Sequence, residues 1–169
     1  MERILENKLG ETDPEYLKAF CVAIAEFALM DIDNFKTTQN DMDNMQLLKD
    51  IHKFIYKDVF EWAGTIREDY QESTELNYSM DSLNSVTIGT SESILTKKIS
   101  HFLSHSITSK PFRYGNTYTS IAFTYLTLRR KHIKFNMNKI NRILKSHTDE
   151  KQLYNMVKKA LESNYVREH

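Results

Sequence analysis

Residues 109–120 read Ser-Lys-Pro-Phe-Arg-Tyr-Gly-Asn-Thr-Tyr-Thr-Ser and lie between two segments with helical patterns. The whole chain has only four glycines and two prolines, and this stretch contains Gly115 and Pro111. Gly115-Asn116 is a turn signal, because glycine adopts positive φ freely and asparagine tolerates it. The residues from Thr117 onward are mostly apolar, which predicts a helix. A turn that directs N–H groups at a helix N-terminus favours an anion, so the sequence predicts a phosphate-binding loop at Gly115, Asn116 and Thr117.

Length and composition indicate a single domain, residues 1–169, because a chain of this size can bury its own core. The 23 basic and 23 acidic residues balance, so the net charge gives no reason to expect nucleic acid or a membrane as a partner. Cys21, the single cysteine, lies in an apolar run and is interpreted as a core residue in a reducing compartment. The N-terminus has no apolar signal region, and no stretch approaches the roughly 20 apolar residues of a membrane span. We therefore expect a cytoplasmic protein, with secretion by a signal-less route left open.

Hydrophobic periodicity predicts an all-α domain of six or seven helices joined by short loops. Thr12-Asp13-Pro14-Glu15 supplies a capping residue and a proline at the first position of the first helix. The second helix is expected to start within 41–44, and the polar stretch 68–84 is predicted to be a loop. The predicted buried faces are Leu17, Phe20, Ile24, Phe27 and Ala28 in the first helix, and Leu47, Leu48, Ile51, Phe54 and Ile55 in the second.

The second half of the chain continues this helical pattern after a short β-prone run at 85–89, for which a strand and a plain loop both remain open. Residues 90–93 cap the next helix, and residues 148–150 cap the last one, which follows a helix through Ile140 and Leu144. The basic cluster 129–132 is expected to stabilise the end of the central helix through its macrodipole, with a nucleic-acid patch as the alternative. The predicted buried faces are Ile94, Leu95, Ile99, Phe102 and Leu103, and in the last helix Leu153, Met156, Val157, Ala160 and Leu161.

Two segments of the chain resemble sequence landmarks of one protein family, the Fic (Fido) domains. The family's loop reads His-Pro-Phe-x-(Asp/Glu)-Gly-Asn-Gly-(Arg/Lys)-x-x-Arg and opens its central helix; Pro111, Phe112, Gly115 and Asn116 match it without gaps. Residues 51–67, which end in Asp-Val-Phe-Glu-Trp-Ala-Gly-Thr-Ile-Arg, are similar to a second landmark that the family uses as scaffold. The resemblance implies a Fic-like helical bundle with a possible small β-hairpin flap, which holds a target by strand addition and falls at Val86, Thr87 and Ile88.

The residues that carry chemistry in the family are replaced in this sequence. Lys110 stands at the position of the catalytic histidine, Tyr114 at that of the metal-holding acid and Thr117 at that of the second glycine. Tyr118 and Ile121 occupy the positions of the two basic residues. The resemblance therefore implies three losses: a general base with a pKa near neutrality, a carboxylate ligand for Mg²⁺, and a bidentate clamp on the ATP phosphates.

These replacements predict a Fic-fold pseudoenzyme, a non-catalytic binding or regulatory module with no catalytic residue intact and no expected cofactor. One alternative is a protein adenylyltransferase with an altered site, which would transfer AMP from ATP to a Ser, Thr or Tyr hydroxyl and would use ATP and Mg²⁺. In that case Lys110 could also act as a nucleophile. The other alternative is a bacterial effector or antitoxin-like partner of an active paralogue. We expect a protein partner of unidentified class and leave the oligomeric state open.

Two weaker patterns complete the candidates. Residues 164–169 resemble the inhibitory helix of one Fic subgroup, with Glu168 as the inhibitory glutamate, although the arginine with which that glutamate pairs is Ile121 here. His101 and His105 lie four residues apart on one predicted helix and could share a metal, but no glutamate follows the first histidine as in zinc proteases. Surface histidines are the favoured interpretation, and no metal site is predicted.

Overall fold

The computed structural model describes residues 5–36, 43–140 and 149–165. Within these ranges the chain is helical, which confirms the predicted all-α class. The α-helices are α1 (Pro14–Met30), α2 (Asn44–Tyr56), α3 (Thr74–Asn84), α4 (Glu92–Ser109), α5 (Asn116–Arg129) and α6 (Glu150–Ala160), and the short 3₁₀ turns are Ile32–Asn34, Met137–Lys139 and Glu162–Asn164.

The helix α5 forms the centre of the domain, packed against α2, α3 and α4. Nine of its fourteen residues are buried, several of them threonine or serine. Thr119 Oγ1 donates to the Gly115 carbonyl at 2.7 Å, Ser120 Oγ to the Asn116 carbonyl at 2.6 Å and Thr124 Oγ1 to the Ser120 carbonyl at 3.0 Å. Each hydroxyl bonds a carbonyl one turn earlier, so a helix with many polar side chains can lie in the core without unsatisfied groups at these positions.

The helix α1 packs on α2 through a different face from the one predicted. Its buried residues are Leu17, Cys21, Ala25 and Leu29. The prediction was wrong for Phe27, which is 71% exposed, and only partly right for Phe20, Ile24 and Ala28, which lie at the margin of the core. Because α1 is apolar around much of its circumference, periodicity alone does not select one face.

The polar stretch predicted as a loop contains a helix, α3. Ser73 caps it, because its Oγ accepts a hydrogen bond from the Leu76 N–H at 3.1 Å. Leu76, Met80 and Leu83 are almost fully buried, at spacings of four and three, and α3 packs against α4. Three apolar residues at helical spacing suffice, since the polar residues between them stay in solvent.

The β-hairpin flap expected at Val86, Thr87 and Ile88 is not seen, because no strand occurs in the three described ranges. These residues belong to a turn between α3 and α4, in which the Thr90 N–H donates to the Thr87 carbonyl at 2.9 Å. Val86 is buried in the core, whereas Ile88 is 74% exposed. An isolated two-stranded hairpin is marginal in water, and burial of Val86 stabilises the turn instead.

The C-terminal helices follow the prediction with local exceptions. Asp149 caps α6 in a capping box with Gln152. In α4 the predicted face is buried except for Ile94, which is 50% exposed. Ile140 directly follows the 3₁₀ turn Met137–Lys139, while Leu144, Thr148 and Glu168 lie outside the described residues.

The basic cluster at the end of α5 is tied to the turn after α1 by an ion pair. Arg129 Nη1 lies 2.7 Å from Asp33 Oδ1, and the Tyr125 hydroxyl donates to the same oxygen at 2.7 Å. Both charged side chains are more than half exposed, so we expect the pair to contribute less than about 1 kcal/mol. Among the described residues, every helix is too short or too polar to cross a membrane.

Candidate functional site

The loop 110–115 connects α4 to α5 and contains two residues with positive φ. Lys110 ends α4 at φ 48°, and its N–H still bonds the Ser106 carbonyl at 3.1 Å. Gly115 precedes α5 at φ 82° and is its N-cap. The chain therefore turns sharply at both ends of the loop, at an exposed lysine and at a glycine that accepts this conformation without strain.

Gly115 also lies directly against the ring of Tyr56 on α2. A Cβ at Gly115 would stand 2.3 Å from Tyr56 Cε2 and 2.7 Å from its hydroxyl oxygen. Tyr56 is completely buried, and its hydroxyl has no hydrogen-bond partner among the described residues. The glycine is thus required twice, once for its φ and once for the space that a side chain would fill.

Asn116 closes the loop from the other side. Its Oδ1 accepts a hydrogen bond from the Phe112 N–H at 2.9 Å, and its Nδ2 donates to the Phe112 carbonyl at 2.8 Å. Both polar groups of the Phe112 backbone are satisfied by one side chain, and because Asn116 is the first residue of α5, these bonds tie the loop to the helix that follows it.

His52 on α2 holds two loops at once. Its Nε2 donates to the Tyr114 carbonyl at 2.8 Å, and its Nδ1 accepts a hydrogen bond from the Gly64 N–H at 2.9 Å. The imidazole stacks on Phe112, with ring centroids 4.0 Å apart. Burial lowers the pKa of His52 to about 4, partly offset by the bond to Tyr114, so the neutral ring with its proton on Nε2 is the form that fits.

Arg67 holds the start of the loop by hydrogen bonds to three consecutive backbone carbonyls. Its backbone N–H donates to the Pro111 carbonyl at 3.0 Å, and its Nη2 donates to the Ser109 carbonyl at 3.1 Å. Its Nε donates to the Lys110 carbonyl. The segment 51–67 is therefore scaffold, as the resemblance implied, and His52, Tyr56 and Arg67 are the residues through which it acts. Sequence reasoning missed these three roles; a histidine within the apolar face of α2 was the available signal.

The positions that carry chemistry in the resembling family lie along the loop and the first turns of α5, and they differ in exposure. Lys110 is exposed at the end of α4, while Tyr114, Thr117 and Tyr118 are half-buried near the start of α5. Ile121 is completely buried in the core, one turn further along α5. Gly115, Asn116 and Thr117 lie at the N-terminus of α5.

Tyr114 occupies the position that would hold a metal, and its environment does not suit that role. Its ring packs edge-on against Tyr56 and Phe60, each with centroids 6.0 Å apart. Burial raises the pKa of Tyr114 to about 12, so its oxygen stays protonated and neutral at physiological pH. Mg²⁺ prefers anionic carboxylate oxygens, and no group of three candidate metal-ligating side chains is clustered in the part of the chain that the structure describes. The residues present do not fit a Mg²⁺ site.

The loop exposes positive charge beside an aromatic ring. Arg113 is exposed, and its guanidinium lies 5.2 Å from the ring centre of Trp62, in a cation–π contact. With Lys110, it gives the loop two cationic side chains next to the N-terminus of α5. The site can therefore present a basic loop to a ligand or a partner.

Known structures share this arrangement of helices. The N-terminal Fic domain of a VirB-translocated Bep effector from Bartonella quintana matches with a TM-score of 0.69 and 17% identity, over 92% of this chain and 87% of that one. The N-terminal Fic domain of Bep8 from Bartonella sp. 1-1C matches with a TM-score of 0.70 and 15% identity, over 97% and 94% of the two chains. BepC from Bartonella tribocorum, with bound AMPPNP, matches with a TM-score of 0.66 and 16% identity, over 92% and 91%.

No protein-family model matches the sequence, and no curated protein sequence does. At identities this low, the likeness to solved structures establishes the arrangement of helices and not an activity. The landmark segments 51–67 and 109–120 meet in space around His52 and Gly115. This chain has the fold of a Fic domain.

Proposed function

We propose that this chain is a Fic-fold pseudoenzyme, a non-catalytic module that binds or regulates a protein partner. The observation that carries the proposal is the contrast within one loop. Its backbone is held by Tyr56, His52, Asn116 and Arg67, whereas the positions that would act on ATP are a lysine, two tyrosines and a buried isoleucine. The loop is retained as structure without the groups that adenylyl transfer requires.

The three missing functions lie at separate positions, so no single change replaces them. Lys110 stands where the family has an imidazole, on an exposed side chain at the end of α4. Tyr114 keeps a protonated phenol. Ile121 contributes only to packing, because its side chain is completely enclosed in the core.

An AMP-transfer assay tests this proposal. The purified protein is incubated with ATP and Mg²⁺, alone and with a cell lysate, and intact-mass spectrometry then seeks the mass of one added AMP. We expect no gain for the wild type, and none for Lys110→His, because a restored base still lacks the metal ligand and the clamp. AMP on the protein or on a lysate protein, absent when Lys110→Ala is used, would contradict the proposal.

A protein adenylyltransferase with an altered site, which would bind ATP and Mg²⁺, is the first alternative. A Fic domain of similar structure from Bartonella quintana contains ADP, and BepC contains AMPPNP. Against a nucleotide here, the clamp position is the buried Ile121, and the half-buried Tyr114 and Tyr118 lie on either side of the first residue of α5. We expect at most millimolar binding of small anions, about 4 kcal/mol, at the N–H groups that begin α5. Calorimetry with ATP and Mg²⁺ decides, since micromolar, Mg²⁺-dependent binding would favour an altered adenylyltransferase.

The similar structures are domains of translocated effectors, which supports the third candidate, a bacterial effector or an antitoxin-like partner of an active paralogue. This role also needs a protein partner and no intact catalytic site. Mixing the chain with an active Fic enzyme and measuring that enzyme's AMP transfer distinguishes it: inhibition that Arg113→Glu abolishes would support an antitoxin-like role at the basic loop.

A further inference from the structure

The solvent side of α4 carries two histidines that take no part in the loop or the core. His101 is exposed and His105 is half-buried, and both lie on the face of α4 opposite to the buried residues Ile99 and Ser106. Neither imidazole makes a hydrogen bond or an ion pair with another described residue, and each has the other as its aromatic neighbour. The two rings are free to bind a ligand.

The spacing of the two rings is close to that of a metal chelate. Their centroids are 6.3 Å apart and their planes lie at 72° to each other. Two imidazoles on one tetrahedral zinc ion, with Zn–N bonds near 2.0 Å, have centroids about 5 Å apart. A side-chain rotation that moves the rings together by about 1 Å makes both nitrogens available to one ion. Residues four apart on a helix are neighbours, so α4 itself fixes this pairing.

Grooves border the pair on both sides. One, of about 660 Å³, lies between α4 and the start of α6 and includes Glu150, Lys97 and Lys151 in its walls. The other, of about 250 Å³, lies between α4 and α3 and includes Glu75 and Lys98. Each groove leaves room for water on a bound ion. The two carboxylates oppose the lysine charges, which on their own would weaken the binding of a cation.

We propose that His101 and His105 form a two-histidine site for a divalent transition metal of the zinc class, with water completing the coordination. Imidazole nitrogens suit Zn²⁺, Ni²⁺ and Cu²⁺, whereas Mg²⁺ requires oxygen ligands. The site is therefore distinct in position and in chemistry from the family's Mg²⁺ position, which is Tyr114 in this chain. A metal held by two side chains keeps open positions, so a donor group of a ligand or a partner can complete the shell.

Titration of the untagged protein with ZnCl₂ tests the site, by calorimetry and by NMR of the histidine ring protons. We expect one Zn²⁺ per chain, with shifts at the His101 and His105 rings. His101→Ala and His105→Ala should each raise the dissociation constant at least about tenfold, because either change leaves a single nitrogen. Lys97→Ala should tighten binding, since it removes a positive charge from the same groove. His132→Ala is the matched control, an exposed histidine elsewhere that should leave the affinity unchanged.

Zinc binding by histidines other than His101 and His105 would contradict the proposed site. Zinc binding that survives both α4 variants and is lost with His147→Ala or His169→Ala would overturn the proposal, as would the absence of ring shifts at His101 and His105. Because both α4 histidines are outside the core, neither alanine variant should alter the fold, and a far-ultraviolet circular dichroism spectrum equal to that of the wild type verifies this. Equal affinities for Mg²⁺ and Zn²⁺ would also overturn the proposal, because imidazole ligands should favour Zn²⁺.

Discussion

At the scale of single residues, Gly115 and His52 hold the same loop by opposite means. Gly115 contributes by having no side chain, which lets Tyr56 lie against the backbone. His52 contributes two nitrogen atoms, each bonded to a backbone group of a different segment. The turn signal of Gly115-Asn116 could be predicted from the sequence, but its close neighbour Tyr56 could not, because the two residues come together only when α2 and α5 pack.

Replacement of Gly115 by alanine should destabilise the fold by about 2–5 kcal/mol, since it adds both a positive-φ strain and a clash with the Tyr56 ring. The free energy of unfolding, measured by urea denaturation, checks this. Gly10→Ala is the matched control: Gly10 also has a positive φ, 65°, but nothing lies within 4 Å of its would-be Cβ. That variant should lose only about 1 kcal/mol, and equal losses in the two would argue against the contact with Tyr56.

The lowered pKa of His52 makes stability depend on pH. Its ordinary pKa of 6.5 falls to about 4 in the fold, so the unfolded chain binds the proton more readily. The stabilisation is complete above about pH 6.5 and is lost progressively as the pH falls to about 4, by about 3 kcal/mol in all. Urea denaturation from pH 7 to pH 4 measures the loss. His52→Gln should be less stable at pH 7 but should show a correspondingly weaker dependence across this range; an unchanged dependence would contradict the assignment.

At the scale of helices, the sequence predicted which segments are helical better than it predicted which face of each helix is buried. The helices α2, α4, α5 and α6 were expected close to their observed positions, because their apolar residues recur at helical spacing and capping residues precede most of them. The face of α1 was partly wrong, since an apolar helix offers more than one face and only contact with α2 selects among them. The helix α3 was missed because its three buried residues are surrounded by polar ones.

The corrected face of α1 yields a paired test. Leu29→Ala should cost about 2–4 kcal/mol, because Leu29 is only 6% exposed and its removal leaves a cavity. Phe27→Ala should change the free energy of unfolding by less than about 0.5 kcal/mol, because that larger side chain stands mostly in solvent and alanine favours the helix. If the face predicted from periodicity were the buried one, Phe27→Ala would be the more destabilising change. Comparing the free energies of unfolding of the two variants therefore tests which face of α1 is buried.

At the scale of the whole molecule, the fold depends on segments that are far apart in sequence. His52 and Tyr114 are separated by 62 positions, and Arg67 reaches Ser109 across 42. The resemblance predicted the fold correctly because it rests on residues at these junctions, among them Gly64, Arg67 and Gly115. It did not predict the contacts themselves, which depend on the packing of α2 against α5, or the turn that replaces the expected flap.

The bond from Gly64 to His52 should also slow the hydrogen exchange of that backbone amide, compared with a loop amide that has a different partner. Gly64 and Gly89 both lie in loops and both donate to a side chain, Gly64 to His52 at 2.9 Å and Gly89 to Thr87 at 3.3 Å. Thr87 is exposed and can release its partner alone, whereas His52 can release Gly64 only if its stack with Phe112 and its bond to Tyr114 break as well. The deuterium uptake of Gly64 should therefore be as slow as that of the α5 core, and that of Gly89 fast. Equal uptake at both glycines would mean that the loops around His52 open independently of the helices.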